Sequence, residues 1–418
     1  MTSRERVETA LDHRPTDRVP IDLGSTTVTG MHAGSVYRLR QALALDPPGT
    51  PVRVIEPVQM LGEIDERLLA ALGVDVVGVR GTRCKFGFAL ERWKEWRLFD
   101  GTPVLVPGRF NTAVESDGSV LQYPQGDPSA PASGRMPAGG WYFDAIVRQE
   151  PIEESRLDPA DNLQEFGPIS PADLEWMEAE TRRREADGRA IVLAIAGTAF
   201  GDISNVPAPM LRRPRGIRDV EEWYVSILTR PRYLRAVFER QCEIALANLA
   251  AVQKRTESRV TAIYLTGTDF GAQRGAFVSP AVYRELFLPF HRALTDWVHR
   301  NTGWKCFIHS CGSVVELIPL FLEAGFDILN PVQVSAAGMD PVALKERFGD
   351  RLCFWGGGVD TQSTLPFGTP GEVERQVSER IHLFGKGGGY VFNPIHNVQA
   401  GVPVENILAM FDAARRAR

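Results

Sequence analysis

The chain has 418 residues, of which 44% are hydrophobic and 24% are charged, and its formal net charge is -5. This composition predicts a globular protein of one large domain or two ordinary ones. The acidic balance, with no dense Lys/Arg block, argues against a nucleic-acid binder. Apolar runs all fall short of the roughly 18 residues that a membrane-spanning helix needs, so we expect no membrane partner.

The cysteines indicate a reducing compartment. There are five of them in a long chain, at Cys84, Cys242, Cys306, Cys311 and Cys353. An odd and sparse set is not a disulfide framework, and the charged N-terminus does not resemble a signal peptide. We therefore expect a cytoplasmic protein with free thiols.

The first 80 residues predict helices and two strands. Residues 1–17 have the spacing of a short amphipathic helix, and a first strand follows at 18–23. Residues 31–45 and 63–72 predict two more helices. The run Val74-Asp-Val-Val-Gly-Val79 is continuously apolar, which is typical of a buried parallel strand.

Residues 81–150 have a different pattern. Short β-like segments are separated by Asp-Gly turns at 100–101 and 117–118, and a Pro/Gly/Ser-rich stretch follows. We interpret this region as a β-rich insertion after the second strand.

From residue 190 onward, apolar strands alternate with helices. Eight strands are predicted in the whole chain, near residues 18, 74, 190, 261, 304, 326, 352 and 390. Such alternation favours a parallel sheet with right-handed crossovers. We predict a single (β/α)8 TIM barrel domain over residues 1–418, with an open doubly wound sheet as the alternative. The Gly-rich segments at 356–358 and 387–389 lack the G-x-G-x-x-G spacing of a dinucleotide-binding sheet.

The segment His309-Ser-Cys311-Gly312 ends the predicted fifth strand. In an extended backbone, residues i and i+2 project from the same face, so His309 and Cys311 point to one place. An imidazole and a thiolate together are a zinc-like ligand pair, although two ordinary core residues give the same pattern. Ser313 and Glu316 have the spacing of a helix capping box, which predicts a helix starting there.

In a barrel the functional residues lie at the C-terminal ends of the strands. His396 lies at the last of these ends and gives a third metal ligand, the number expected of a catalytic zinc site, unless it is a capping or core histidine. Asp269 is the candidate proton donor or hydrogen-bonding partner of the metal ligands; the alternative is a loop aspartate that caps backbone amides. The predicted substrate-binding residues are polar and follow strands: Gln273, Asn330, Gln333 and Asn393.

Four segments of the sequence resemble those of a known protein family. The segment 309–312, together with 324–331, the 356–360 turn and 393–399, resembles the uroporphyrinogen decarboxylase superfamily, and most closely its zinc- and corrinoid-dependent methyltransferase branch. The resemblance implies zinc on His309 and Cys311, with His396 where that branch has a cysteine. It also implies methyl transfer between a small O-, N- or S-methyl compound and cobalamin. Because the chain has no Asp-x-His-x-x-Gly segment, we expect the cobalamin on a partner corrinoid protein.

Two other functions remain as alternatives. A metal-free porphyrinogen decarboxylase ranks second, because residues 24–30 after the first strand contain no arginine to bind the substrate's carboxylates. A non-enzymatic scaffold is the third possibility. The residues themselves leave open whether the methyl acceptor is a corrinoid, a folate or a thiol.

Overall fold

The structure, a computed structural model, describes residues 1–417. Its α-helices are α1 (Ser3–Leu11), α2 (Ala33–Ala42), α3 (Glu66–Leu72), α4 (Pro171–Ala186), α5 (Val220–Thr229), α6 (Pro231–Thr256), α7 (Pro280–Val282), α8 (Leu288–Asn301), α9 (Ile318–Glu323), α10 (Pro341–Phe348), α11 (Thr364–Phe367), α12 (Pro370–Gly385) and α13 (Val404–Arg416). A π-helical turn, Tyr283–Phe287, joins α7 to α8.

The strands are β1 (Val52–Glu56), β2 (Leu61–Gly62), β3 (Val76–Val79), β4 (Lys94–Arg97), β5 (Pro103–Val106), β6 (Thr112–Val114), β7 (Val120–Gln122), β8 (Gly134–Met136), β9 (Asp144–Ala145), β10 (Ala190–Ala194), β11 (Ala262–Thr266), β12 (Lys305–His309), β13 (Ile328–Asn330), β14 (Cys353–Trp355) and β15 (Tyr390–Val391). Seven of them form one parallel sheet in the order β3, β10, β11, β12, β13, β14 and β15. The predicted mixed α/β fold with a parallel sheet is thus confirmed.

The segment 20–22 lies between the two edges of this sheet. Ile21 forms a parallel bridge with Phe392, whose N–H donates to the carbonyl of Pro20 over 2.8 Å. On the other side, the N–H of Asp75 donates to the carbonyl of Ile21 over 2.8 Å. The sheet is therefore curled, and its edges are joined by a short segment where the sequence predicted a full first strand.

The inside of the curled sheet is filled by alternate strand residues: Val76, Ala190, Val192, Ala262, Phe307, Ile328, Cys353, Trp355 and Val391. Val7 and Leu11 of α1 belong to the same cluster, so α1 covers the end where the strands begin. The rings of Tyr264 and Trp355 lie 5.5 Å and 5.2 Å from that of Phe307, between centroids. These aromatic rings form a packed layer beneath the C-terminal ends of the strands.

The region predicted as a β-rich insertion contributes strands to two sheets. β5 pairs with β4 in antiparallel and with β1 in parallel, which gives a mixed sheet in the order β2, β1, β5, β4. β6 to β9 form a separate antiparallel sheet. Part of the region after β3 therefore completes a sheet that begins before β3, and the sequence pattern did not reveal β1.

The predicted capping box at Ser313 is wrong. The helix α9 begins at Ile318, with Leu317 at its N-cap, and residues 315–317 form a turn. The hydroxyl of Ser313 instead donates to the carbonyl of Ala337 over 2.6 Å. The Ser313 side chain thus makes a tertiary contact and does not cap a helix.

Two features of the structure concern the thiols and the lengths of the helices. The cysteines are all free thiols. Within residues 1–417, none of the helices combines the length and the apolar stretch that crossing a bilayer requires.

A buried carboxylate joins α1 and the 20–22 segment to the sheet. Asp75 is fully buried and accepts hydrogen bonds from Arg6 Nη1 at 2.7 Å and from Arg18 Nη1 at 2.6 Å. It also accepts from the N–H of Ile21 at 2.9 Å. A buried charge is tolerated only when it is paired and hydrogen-bonded, so Asp75 depends on both arginines.

We expect Asp75→Ala to lower the free energy of unfolding by about 3–5 kcal/mol, because it leaves the Arg6 guanidinium buried without this partner. Urea unfolding measures the loss. Asp17→Ala is the matched control: Asp17 also pairs with Arg6, but its side chain is 45% exposed, and we expect a loss of less than about 1 kcal/mol. Equal losses in the two variants would contradict the role given to Asp75.

Candidate metal centre

His309 is the last residue of β12 and points into the curled sheet, on the same face as Phe307. Its Nδ1 lies 2.6 Å from Oδ1 of Asn330, the residue opposite it in β13. The amide orientation is fixed, because Asn330 Nδ2 donates to the carbonyl of Trp355 over 2.8 Å. Nδ1 of His309 therefore carries the proton, and Nε2 keeps a free lone pair.

Cys311 follows on a turn that is held from two sides. Its Sγ lies 3.3 Å from Nε2 of His309, and its N–H donates to Oδ1 of Asp269 over 2.7 Å. The next N–H, of Gly312, donates to Oε1 of Gln333 over 2.7 Å. These bonds from the neighbouring strand ends direct the thiol toward the imidazole.

His396 reaches the same place from the loop after β15. β15 lies three places from β12 in the sheet, so only the curl brings the two ends together. The ring centroids of His309 and His396 are 5.6 Å apart. One ligand atom from each of His309, Cys311 and His396 lies within 4.8 Å of the others. The structure thus brings the three predicted ligands together.

Burial sets the protonation of this cluster. It lowers the pKa of His309 to about 4 and that of His396 to about 4, so both imidazoles are neutral at neutral pH. Burial, and then the charge of Asp269, raises the pKa of the Cys311 thiol well above its usual value. A divalent cation has the opposite effect on a thiol and stabilises the thiolate. Two neutral imidazoles and one thiol, with a carboxylate 3.8 Å from His309 Nε2, are a donor set that fits zinc.

A cavity of about 420 Å³ opens beside the cluster. Cys311 and His396 lie in its wall, and so do two predicted substrate-binding residues, Gln273 and Gln333. Its other polar lining residues come from the loops after β13 and β14: Ser335, Asp360, Thr361 and Gln362. Nε2 of Gln273 donates to Oε1 of Gln362 over 3.2 Å. Gln362 was not among the substrate-binding residues predicted from the sequence.

The other two residues predicted to bind substrate are Asn330 and Asn393. Both are fully buried and neither lines the cavity. The amide of Asn330 is used by His309 and Trp355, as described above. Nδ2 of Asn393 donates to the carbonyl of Asp22 over 3.0 Å. In these positions Asn330 holds His309, and Asn393 holds the end of the 20–22 segment.

A second buried carboxylate supports this arrangement. Trp355 Nε1 donates to Oδ2 of Asp22 over 2.9 Å, and the hydroxyl of Ser25 donates to the same oxygen over 2.8 Å. Burial raises the pKa of Asp22 to about 6. Asp22 holds Trp355, whose carbonyl holds Asn330. The orientation of His309 thus depends on Asp22, a residue near the start of the chain.

Comparison with known proteins identifies the family. The family model for uroporphyrinogen decarboxylase (URO-D) matches residues 177–417, which is more than half of the chain. The chain belongs to the uroporphyrinogen decarboxylase family. The matched range contains His309, Cys311 and His396, so the candidate metal centre lies within the family domain, and the predicted superfamily is confirmed.

Named relatives in this family match parts of the chain. The uroporphyrinogen decarboxylase of Pseudoalteromonas atlantica is 26% identical over 35% of this chain and 42% of its own length. That of Psychromonas ingrahamii is 33% identical over 33% of this chain and 38% of its own length. The chain thus spans less than half the length of these relatives.

A solved structure matches nearly the whole chain. A methyltransferase from Methanosarcina mazei has a TM-score of 0.55 over 99% of this chain and 98% of its own, at 16% identity. At this identity the likeness establishes a shared fold only.

Gly312 in this family member has no room for a side chain. Its φ is +84°, and a Cβ there would lie 2.4 Å from the carbonyl carbon and oxygen of Gly271. The turn that presents Cys311 therefore requires both a left-handed backbone and close contact with the loop after β11.

We expect Gly312→Ala to lower the free energy of unfolding by roughly 2–4 kcal/mol, through backbone strain and overpacking. Urea unfolding measures the change. Gly275→Ala is the control, because a Cβ at Gly275 has no neighbour within 4 Å, and we expect it to be nearly neutral. A neutral Gly312→Ala would show that this turn is not tightly packed.

Proposed function

We propose that the chain is a zinc-dependent methyltransferase, which moves a methyl group between a small O-, N- or S-methyl compound and cobalamin on a partner corrinoid protein. The observation that carries the proposal is the cluster of His309, Cys311 and His396, whose ligand atoms lie within 4.8 Å of one another beside a 420 Å³ cavity. Zinc, when bound, supplies Lewis acidity to the heteroatom that bears the methyl group.

The residues around the cluster have separate tasks in this proposal. Asn330 keeps Nε2 of His309 free to bind metal. Three protein ligands leave one position for substrate, on the side where Cys311 and His396 line the cavity. Oδ1 of Asp269 accepts the N–H of Cys311 and so holds the turn in place. Burial raises the pKa of Asp269, so the carboxyl group of Asp269 is suited to exchange a proton with the heteroatom.

The partner would approach the C-terminal ends of the strands. Phe277 lies on the loop after β11 with 47% of its surface exposed, and Phe367 lies after β14 with 84% exposed. Exposed aromatic side chains favour protein contacts. They offer apolar contacts on the side from which a corrinoid would reach the cavity.

The alternative is a porphyrinogen carboxy-lyase without metal, which the names of the relatives favour. A porphyrinogen with many carboxylates requires several cationic side chains. Among residues 1–417, those that line the cavity include no lysine or arginine. Methyl transfer therefore fits this site better.

The two functions predict different reactions. We expect the zinc-loaded protein to methylate a reduced corrinoid protein from one of a panel of methyl ethers, amines and thiols, followed by the cobalamin absorbance change. Cys311→Ala and His396→Ala should each lose this activity by at least about 100-fold, together with one zinc per chain, because a ligand is missing. Bound zinc is measured by metal analysis of protein purified without chelator.

His382→Ala is the control, since His382 is an exposed histidine on α12 and should leave both zinc content and activity unchanged. If the metal-free protein instead decarboxylates uroporphyrinogen, and Cys311→Ala does not change that rate, then the carboxy-lyase is the correct function.

The amide of Asn330 gives a finer test. We expect Asn330→Ala to weaken zinc binding about 10- to 100-fold, because His309 loses the acceptor that fixes its tautomer. Competition with a chromophoric chelator measures the affinity. Asn330→Asp keeps an acceptor for Nδ1–H and should retain most of the affinity. Equal weakening in both variants would contradict the role given to the acceptor and would indicate the Nδ2 donation to Trp355, which both variants lose.

A further inference from the structure

A second cluster of ligand-type side chains lies near the start of β12. Cys306 is the second residue of that strand and faces away from the interior, since Phe307 faces inward. His299, in the last turn of α8, and Asp327, just before β13, meet it there. The ligand atoms of the three residues lie within 4.8 Å of one another. Cys306 and His309 are three residues apart, roughly 10 Å along the strand, so the two clusters are separate.

The carboxylate of Asp327 is held at the centre of this cluster. Its Oδ2 lies 2.8 Å from Nε2 of His299 and accepts the N–H of Cys306 over 2.7 Å. The side chains of His299 and Asp327 are 39% and 28% exposed, whereas Cys306 is fully buried. The cluster thus has a thiol at its inner end, and an imidazole and a carboxylate that solvent reaches.

We propose that His299, Cys306 and Asp327 form a second binding site for a divalent ion of the zinc class. Nitrogen, sulfur and oxygen donors in one place are the ligands that Zn²⁺ takes in proteins. The ion replaces the proton shared by Nε2 of His299 and Oδ2 of Asp327, and the Cys306 thiol gives its proton to solvent. Three protein ligands leave a position for water on the exposed side.

The charges around the cluster favour a cation. Asp296 precedes His299 by three residues, so the two side chains are neighbours on one face of α8, and its charge acts on the imidazole. The nearby ammonium of Lys305 is paired with Asp12 at 3.2 Å. The local balance of Asp296 and Asp327 is therefore negative.

A bound ion would connect the end of α8 to the starts of β12 and β13. The other ends of these two strands carry His309 and Asn330. The proposed site would therefore stabilise the pair of strands that position the metal centre at the cavity. This role differs from catalysis and does not rest on the proposed methyl transfer.

The simpler explanation of this cluster is a structural hydrogen bond between His299 and Asp327. The Cys306 thiol distinguishes that explanation from a metal site. A hydrogen bond needs no sulfur, whereas the proposed site includes a thiolate. Thiolate-to-cobalt absorption therefore reports the site directly when Co²⁺ is the probe.

The experiment titrates the chelator-treated full chain with Co²⁺ and follows thiolate-to-cobalt absorption. We expect two equivalents for the native protein, one for each cluster. His299→Ala, at an exposed position, should lower the affinity for the second equivalent of Co²⁺ at least about 10-fold. Cys306→Ala should remove the thiolate-to-cobalt absorption band of that equivalent. Cys242→Ala is the matched control, a buried cysteine outside both clusters that should leave two equivalents.

The outcomes separate this site from the proposed function. Cys311→Ala should retain the equivalent that His299→Ala weakens. If His299→Ala and Cys306→Ala both still bind two equivalents, or if the native protein binds one that Cys311→Ala abolishes, the second site is wrong and the proposed function stands. If the native protein binds one equivalent that only His299→Ala and Cys306→Ala disturb, the second site stands and the zinc-dependent function fails.

Discussion

The geometry of the candidate metal centre depends on the register between β12 and β13. Because His309 pairs with Asn330, the imidazole and the amide meet at the same height inside the curled sheet. The carbonyl of Trp355 then fixes the amide, and the amide fixes the tautomer of the imidazole. A slip of one residue would turn His309 toward the outer helices and move its free Nε2 away from Cys311 and His396.

This register is maintained from a distance. Trp355 is held by the buried carboxylate of Asp22, the last residue of the segment that joins the edges of the sheet. Asp75 fastens that segment and α1 to β3 through Arg6 and Arg18. Closure of the sheet and the orientation of His309 are therefore coupled, since both depend on the buried carboxylates of Asp22 and Asp75.

The sequence predicted those features that depend on local periodicity. Alternation along a strand was enough to predict that His309 faces inward, and the alternation of strands and helices was enough to predict a parallel sheet. Cys311 lies beyond the end of β12, on a turn held by Asp269 and Gln333, so its approach to His309 depends on these contacts. The depth of a residue is not local. Asn330 ends β13 and Asn393 follows β15, the positions where functional residues are expected, yet the register and packing leave both fully buried and outside the cavity wall. β1 was missed for a similar reason, because its partner β5 lies about fifty residues further along the chain.

The ligand set also bears on the choice of substrate under the proposed function. Two neutral imidazoles and one thiolate leave a zinc ion with one net positive charge, whereas two thiolates would neutralise it. A centre with residual charge stabilises a leaving oxygen more than a less charged centre does, because an alkoxide or phenolate is a harder and more basic anion than a thiolate. His396 in place of a cysteine therefore favours an O-methyl compound. The amide and hydroxyl groups of the cavity, which lie beside Cys311 and His396, suit such a polar substrate better than they suit a polycarboxylate.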